Sequence, residues 1–255
     1  KIGSGELEHR ITIKPKDELG ILANEINLLA ANVQDMLEAK QRLNLGVSHE
    51  LRSPLTRARL QIEMLEDEKQ RDELLNEINA MEAIISNLLD SEAINYGHKK
   101  LDLKTFNIED TIKELTSKAP YLENIETVIS SKMKSKEVEA DQILIEVMVK
   151  NVLENASRFT SHEQSRIEIN LDQIDPDSIK LSVRDYGPGF KEDDLEKVTE
   201  PFFRTGQSRS RKSGGFGLGL YLSKQIIIAH SGTIQIKNHS QQGAVVDLIL
   251  PIKQK

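Results

Sequence analysis

The sequence predicts two architectures in series: an antiparallel helical hairpin that pairs with a second copy into a four-helix bundle, then an α/β sandwich of mixed-sheet type. Three observations predict this. Apolar residues recur at three- and four-residue steps from Leu19 to Leu88. Beyond Lys100, strand-like and helix-like runs alternate without a repeating βαβ order. Aromatic residues make up 4% of the chain and charged residues 29%, which suits long exposed helices joined to one compact core.

The elements follow in order. Lys1 to Lys16 is a polar connector, and Lys1 to Arg10 reads as the tail of a longer protein. From Asp17 the stripe Leu19, Leu22, Ile26, Leu29, Val33, Met36 alternates steps of three and four, a coiled-coil seam. The stripe Leu43, Val47, Leu51, Leu55, Ala58, Ile62, Leu65 accumulates steps of four, so the register drifts there. The polar cluster Glu66 to Asp72 turns the chain, and Leu74, Ile78, Met81, Ile85, Leu88 form the returning helix. One apolar stripe per helix cannot be buried within a single hairpin, hence the second copy. A linker at Asn95 to Lys100 leads to strands over Leu101–Ile108, Ile125–Ser130, Arg166–Leu171, Ser178–Arg184, Thr233–Lys237 and Ala244–Leu250. Helices are expected over Glu109–Lys118, Gln142–Arg158, Glu192–Thr199 and Gly219–His230. The division is therefore 1–38, 39–96 and 97–255.

Bulk properties exclude several classes. A net charge of −7 gives no support for nucleic-acid binding. Without cysteine there are no disulfides and no thiolate metal sites. No apolar run approaches the ~18 residues of a membrane span, and no signal peptide is visible.

Four segments carry chemistry. In SHELRSPLTR (Ser48 to Arg57), His49 lies roughly 200° around the helix from both Val47 and Leu51, so it faces away from the apolar stripe. Ser53 shares its face, and Pro54 denies the Glu50 carbonyl a partner and kinks the helix. Glu50 is placed to take a proton from one imidazole nitrogen, leaving the other free to attack. An isolated exposed histidine usually does no more than titrate, and the other five (His9, His98, His162, His230, His239) read as structural or incidental.

In NVLENASRFT (Asn151 to Thr160), Asn151 and Asn155 project from one helix face, and an amide oxygen suits Mg²⁺. Arg158 can reach a phosphate and Phe159 can cover a base. In DYGPGF (Asp185 to Phe190) an ionised Asp185 accepts hydrogen bonds only and so prefers adenine's amine to guanine's carbonyl. GGFGLGL (Gly214 to Leu220) opens a helix whose N-terminus favours anions, but it is neither the dinucleotide fingerprint nor a Walker A loop. The basic run before it (Arg204, Arg209, Arg211, Lys212) reads as a lid over phosphates. Each segment alone has an ordinary structural explanation; their order and spacing together are specific.

That order resembles the cytoplasmic part of the bacterial sensor histidine kinases of two-component signalling. The four segments look like the family's H-box, N-box and two glycine boxes, and PFFR (Pro201 to Arg204) resembles its F-box. Gly243 is a weaker match to a further glycine. GELEHRI (Gly5 to Ile11) and DELG (Asp17 to Gly20) resemble the second half of a HAMP relay module.

The resemblance implies an ATP- and Mg²⁺-dependent kinase that phosphorylates His49, with Glu50 as acid/base partner, in a homodimer that passes the phosphoryl group to an aspartate of a response regulator. It implies Asn155 as metal ligand with Asn151 beside it, Arg158 on phosphate, Phe159 near adenine and Asp185 on its amine. Gly187, Gly189, Gly215, Gly217, Leu218 and Gly219 shape pocket and lid. Ser53 stands where many relatives carry Thr or Asn, the side chain that positions water to dephosphorylate the regulator. The parent protein is expected in a membrane with this part in the cytoplasm. Two rivals share parts of the pattern: an ATPase machine like gyrase, Hsp90 or MutL, and a catalytically silent dimeric scaffold.

Overall fold

The computed structural model describes residues 10–11, 18–95, 101–122, 126–131, 133, 137–160, 166–204 and 216–254; at some positions within these spans, His49 and 87–95 among them, only the backbone is described. The chain divides into two compact units, 1–85 and 86–255.

The first unit is helical. α1 (Glu18–Glu63) is a single helix of 46 residues that continues through Pro54, roughly 69 Å long. The expected boundary at 38/39 falls inside it. After a four-residue turn, α2 (Glu68–Asn95) starts where Asp67 Oδ1 accepts the Gln70 N–H at 3.1 Å, an N-cap. Arg59 on α1 reaches Asn79 (3.4 Å) and Glu82 (3.7 Å) on α2, which fixes the hairpin as antiparallel. Asn27 on α1 brackets Ile11 of the connector: its Oδ1 accepts the Ile11 N–H (2.8 Å), and its Nδ2 donates to the Ile11 carbonyl (2.9 Å). This bracket sits on the small-residue stripe Gly20, Ala23, Asn27, Ala30, which admits a close backbone. The predicted seam is largely uncovered within one copy: Leu19, Leu22, Leu29 and Met36 are each more than half exposed.

The second unit is a two-layer sandwich. Its sheet has the order β2 (Glu126–Ser131), β4 (Arg166–Asp175), β5 (Ser178–Asp185), β7 (Ala244–Pro251), β6 (Thr233–Asn238). β2 runs parallel to β4 and the other pairs are antiparallel. β1 (Leu103–Asn107) and β3 (Glu137–Asp141) form a separate antiparallel pair. Strand alternation sends Ile167, Ile169 and Leu171 of β4 and Ile179, Leu181 and Val183 of β5 to one face. Helices α3 (Ile108–Lys118), α4 (Gln142–Phe159) and α5 (Gly219–Ala229) cover that face, α4 burying Ile145, Val149 and Leu153 completely. The other face carries polar pairs, among them Ser182 and Lys237 on Asp247, both at 2.6 Å.

His230 proves structural. It is fully buried, accepts the Asp141 N–H on Nε2 (3.1 Å) and points Nδ1 at the Ile226 carbonyl (2.8 Å), which places its proton on Nδ1. Asp141 in turn caps α4 through the Leu144 N–H. Burial holds the imidazole below its ordinary pKa and so neutral. The buried ring thus locks the end of α5 to the start of α4.

Two expectations need correction. β3 was not foreseen: its sequence EVEAD is acidic and poor in β-formers, and only Val138 and Ala140 alternate inward. The helix expected over Glu192–Thr199 is one 3-10 turn, Glu192–Asp194, followed by turns. Only Val198 is buried there, too little apolar surface to hold a helix against the domain.

Candidate functional site

The site in the second unit forms where the C-terminal half of α4, the turn after β5, the start of α5 and the turn before β7 meet. Asp185 closes β5 on the helix-covered face and is 5% exposed. Its Oδ1 accepts the Gly187 N–H (2.8 Å) and the Ala244 N–H (3.1 Å), while Oδ2 bonds to no described residue. Burial pushes the carboxyl above the ordinary aspartate range; the two N–H groups and Arg184 oppose this without cancelling it. The aspartate is therefore aimed and desolvated, with one oxygen left for a ligand.

The turn after it is held from both sides. A side chain at Gly187 would overlap the Phe159 carbonyl, so the turn lies directly on the end of α4. Asn238 brackets Phe190, accepting its N–H (2.8 Å) and donating to its carbonyl (2.7 Å), and lies under Gly189. Gln242 Nε2 donates to the Tyr186 carbonyl (3.1 Å), and the His239 N–H closes the turn onto the Gly243 carbonyl (2.9 Å). Gly243 has φ +88° and packs on the Asp185 carbonyl. Asn238 and Gln242 were not foreseen.

On α4, Asn151 and Asn155 share a face and both are partly buried. Asn151 Nδ2 is a buried donor with no partner among the described residues, and its Oδ1 lies beside Gly219 at the start of α5. Asn155 bonds to no described residue. This polar pair beside an anion-favouring helix terminus fits a phosphate with its cation. Arg158 follows, exposed; desolvation by the surrounding domain lowers its pKa, Glu154 raises it, and the like charge of Arg204 lowers it again. Gly217, at φ +71°, lets the Phe202 N–H reach its carbonyl (3.0 Å), while Leu218 is buried beside it. Gly215, Arg209, Arg211 and Lys212 lie outside the described residues.

In the first unit His49 lies within α1, with the direction of its side chain outside the described residues. Glu50 and Ser53 are exposed. Arg57 Nη1 donates to Ser53 Oγ at 2.8 Å. Among the described residues no cluster of His, Asp and Glu is arranged to hold a metal by itself.

Comparison with known proteins matches three family models to the chain. The family model "Histidine kinase-, DNA gyrase B-, and HSP90-like ATPase" matches residues 140–254, "His Kinase A (phospho-acceptor) domain" matches 39–97, and "HAMP domain" matches 1–35. The signal transduction histidine-protein kinase BaeS of Escherichia coli K12 is 30% identical across 100% of the chain and 56% of that protein. The sensor histidine kinase MtrB of Mycobacterium tuberculosis is 26% identical across 99% of the chain and 47% of that protein. The chain thus spans about half the length of the curated relatives it matches. Full-length ShkA in complex with AMPPNP shares the fold, with TM-score 0.69 and 22% identity over 84% of this chain and 46% of that one. The catalytic domain of ThkA has TM-score 0.51 and 28% identity over 60% of this chain and 99% of that one.

Proposed function

The chain belongs to the sensor histidine kinases of two-component signalling, and from that premise we propose that it transfers the γ-phosphoryl group of ATP to its own His49 and then to an aspartate of a response regulator. The observation that carries the nucleotide half is Asp185: a buried carboxylate fixed by two backbone N–H groups, with one oxygen unengaged.

In this reading Asp185 accepts the adenine amine, and Phe159 at the end of α4 covers the base. Arg158 and the N-terminus of α5 hold phosphate oxygens. Asn155, with Asn151 beside it, would hold Mg²⁺. That ion, when bound, screens the phosphate charges and the charge that develops during transfer. Gly187, Gly189, Gly215, Gly217, Leu218 and Gly219 shape the pocket. An imidazole nitrogen of His49 attacks phosphorus as the bond to the β-phosphate oxygen breaks; Glu50 takes up the proton from the other nitrogen, and ADP leaves. Positioning supplies most of the rate. The exposed seam of α1 is covered by a second copy, giving a homodimer with a four-helix bundle. Ser53 positions water for dephosphorylation of the regulator. The functional division is 1–38 relay, 39–96 phosphotransfer and 97–255 ATP-binding. No helix among the described residues is long and apolar enough to cross a membrane; the parent is a membrane sensor with this part in the cytoplasm.

Incubation with γ-labelled ATP and Mg²⁺ tests the reading. Label that is acid-labile and base-stable is the expected result. Bound ATP without label points to the scaffold, and ATP turnover without label points to the ATPase machine.

The carboxyl of Asp185 adds a pH dependence. Ionised, it accepts adenine's amine; protonated, it donates and loses that preference. The ATP-over-GTP preference, about 10- to 100-fold for a hydrogen bond to a charged group, is expected to shrink as pH falls, beginning above the range of an ordinary aspartate because burial raises its pKa. The ratio of the two affinities cancels the ionisation of the phosphates. A ratio flat from neutrality down to the ordinary aspartate range would remove Asp185 as the base reader.

A further inference from the structure

One contact sets the Ser53 hydroxyl apart from its neighbour. Serine and threonine inside a helix often turn the hydroxyl back onto the carbonyl four residues earlier. Thr56 does so: its Oγ1 donates to the Arg52 carbonyl at 3.0 Å. Ser53 does not. Its Oγ accepts a hydrogen bond from Arg57 Nη1 at 2.8 Å, and no described group receives its proton. The carbonyl it would otherwise engage is that of His49. On α1 Ser53 and Arg57 are four residues apart and so share one face, and His49 stands four residues before Ser53 in the sequence.

We propose that Arg57 is a positioning residue for dephosphorylation of the regulator: it holds the Ser53 hydroxyl off the helix backbone, ready to orient the attacking water. This rests on the reading of Ser53 given above. In that step the water oxygen bonds to phosphorus and the bond from phosphorus to the aspartyl oxygen breaks. The electron pair stays on the carboxylate, and both water protons leave on inorganic phosphate. Arg57 itself touches neither water nor phosphate. Serine lacks the methyl group with which threonine restricts its own rotamer, and the guanidinium supplies the missing restriction. Three staggered wells are open to an unrestrained serine, so releasing it costs about threefold in rate. The loss is larger if the freed hydroxyl settles on the His49 carbonyl.

The test uses Arg57→Lys and Arg57→Met, each made with Ser53 intact and with Ser53→Ala. The probe is a receiver-domain protein chosen because it takes label from this chain's own phosphorylated His49, freed of ATP before mixing. The readout is inorganic phosphate released. Arg57→Met, which keeps an unbranched stem and helix propensity but has no donor, is expected to slow release about threefold or more. Arg57→Lys keeps a donor and restores most of the rate. Without the Ser53 hydroxyl the two variants become indistinguishable. Arg57→Met as fast as the parent, or slowing release equally in the Ser53→Ala chain, overturns the positioning role while the reading of Ser53 stands. A parent chain that releases no phosphate from any receiver it labels overturns that reading and the inference with it.

Discussion

Replacing His49 by glutamine is expected to abolish acid-labile labelling, a loss of at least about three orders of magnitude, as when a nucleophile is removed from other group-transfer enzymes. Glutamine suits a helix interior, so α1 has no reason to fray. Its amide resonates with its carbonyl and offers no lone pair comparable to imidazole's. Nucleotide affinity should not change, because every residue assigned to the nucleotide lies in the other compact unit. Titration calorimetry on parent and variant beside the labelling assay separates the two effects. Residual label on the variant with the same acid lability would mean that another histidine is the acceptor. His230 cannot be that acceptor in the folded chain, since both its ring nitrogens are engaged in the core.

The parts of the site legible in the sequence are those whose geometry is local. The four-residue spacing of Asn151 and Asn155 placed both on one helix face, and the glycines after Asp185 announced a turn at the end of a strand. The elements that hold the site together were not legible, because they act across the chain. Asn238 brackets Phe190 from 48 residues away, and Gln242 reaches Tyr186 from 56. An asparagine at the end of a strand carries no periodic signal that would name its partner. Arg57 and Ser53 are the opposite case: their separation of four on a helix was readable. The helix expected at Glu192–Thr199 shows the limit of composition, since helix-forming residues without an apolar face gave only turns.

The clamp between these sequence-distant segments makes Gly243 the glycine whose substitution should cost most. Its φ of +88° is open to glycine and strained for alanine, and a Cβ there would overlap the Asp185 carbonyl. Backbone, and not a flexible side-chain end, stands in the way, so the turn from His239 to Gly243 must move. Moving it withdraws the Ala244 N–H from Asp185 Oδ1 and the Gln242 amide from Tyr186. The left-handed conformation costs about 1–2 kcal/mol, and a lost hydrogen bond to a buried carboxylate about 1.5–3 kcal/mol. Gly243→Ala is therefore expected to weaken ATP binding by about a hundredfold or more, with a lower melting temperature for the second unit. The same change at Gly46, a helical position with nothing near the added methyl, should stabilise α1 by about 0.5–1 kcal/mol and leave ATP affinity alone. Calorimetric ATP titrations of both variants make the comparison. Equal affinity in the two would mean that the turn before β7 does not aim Asp185, and the pocket would then owe its shape to α4 and the Gly187 turn alone.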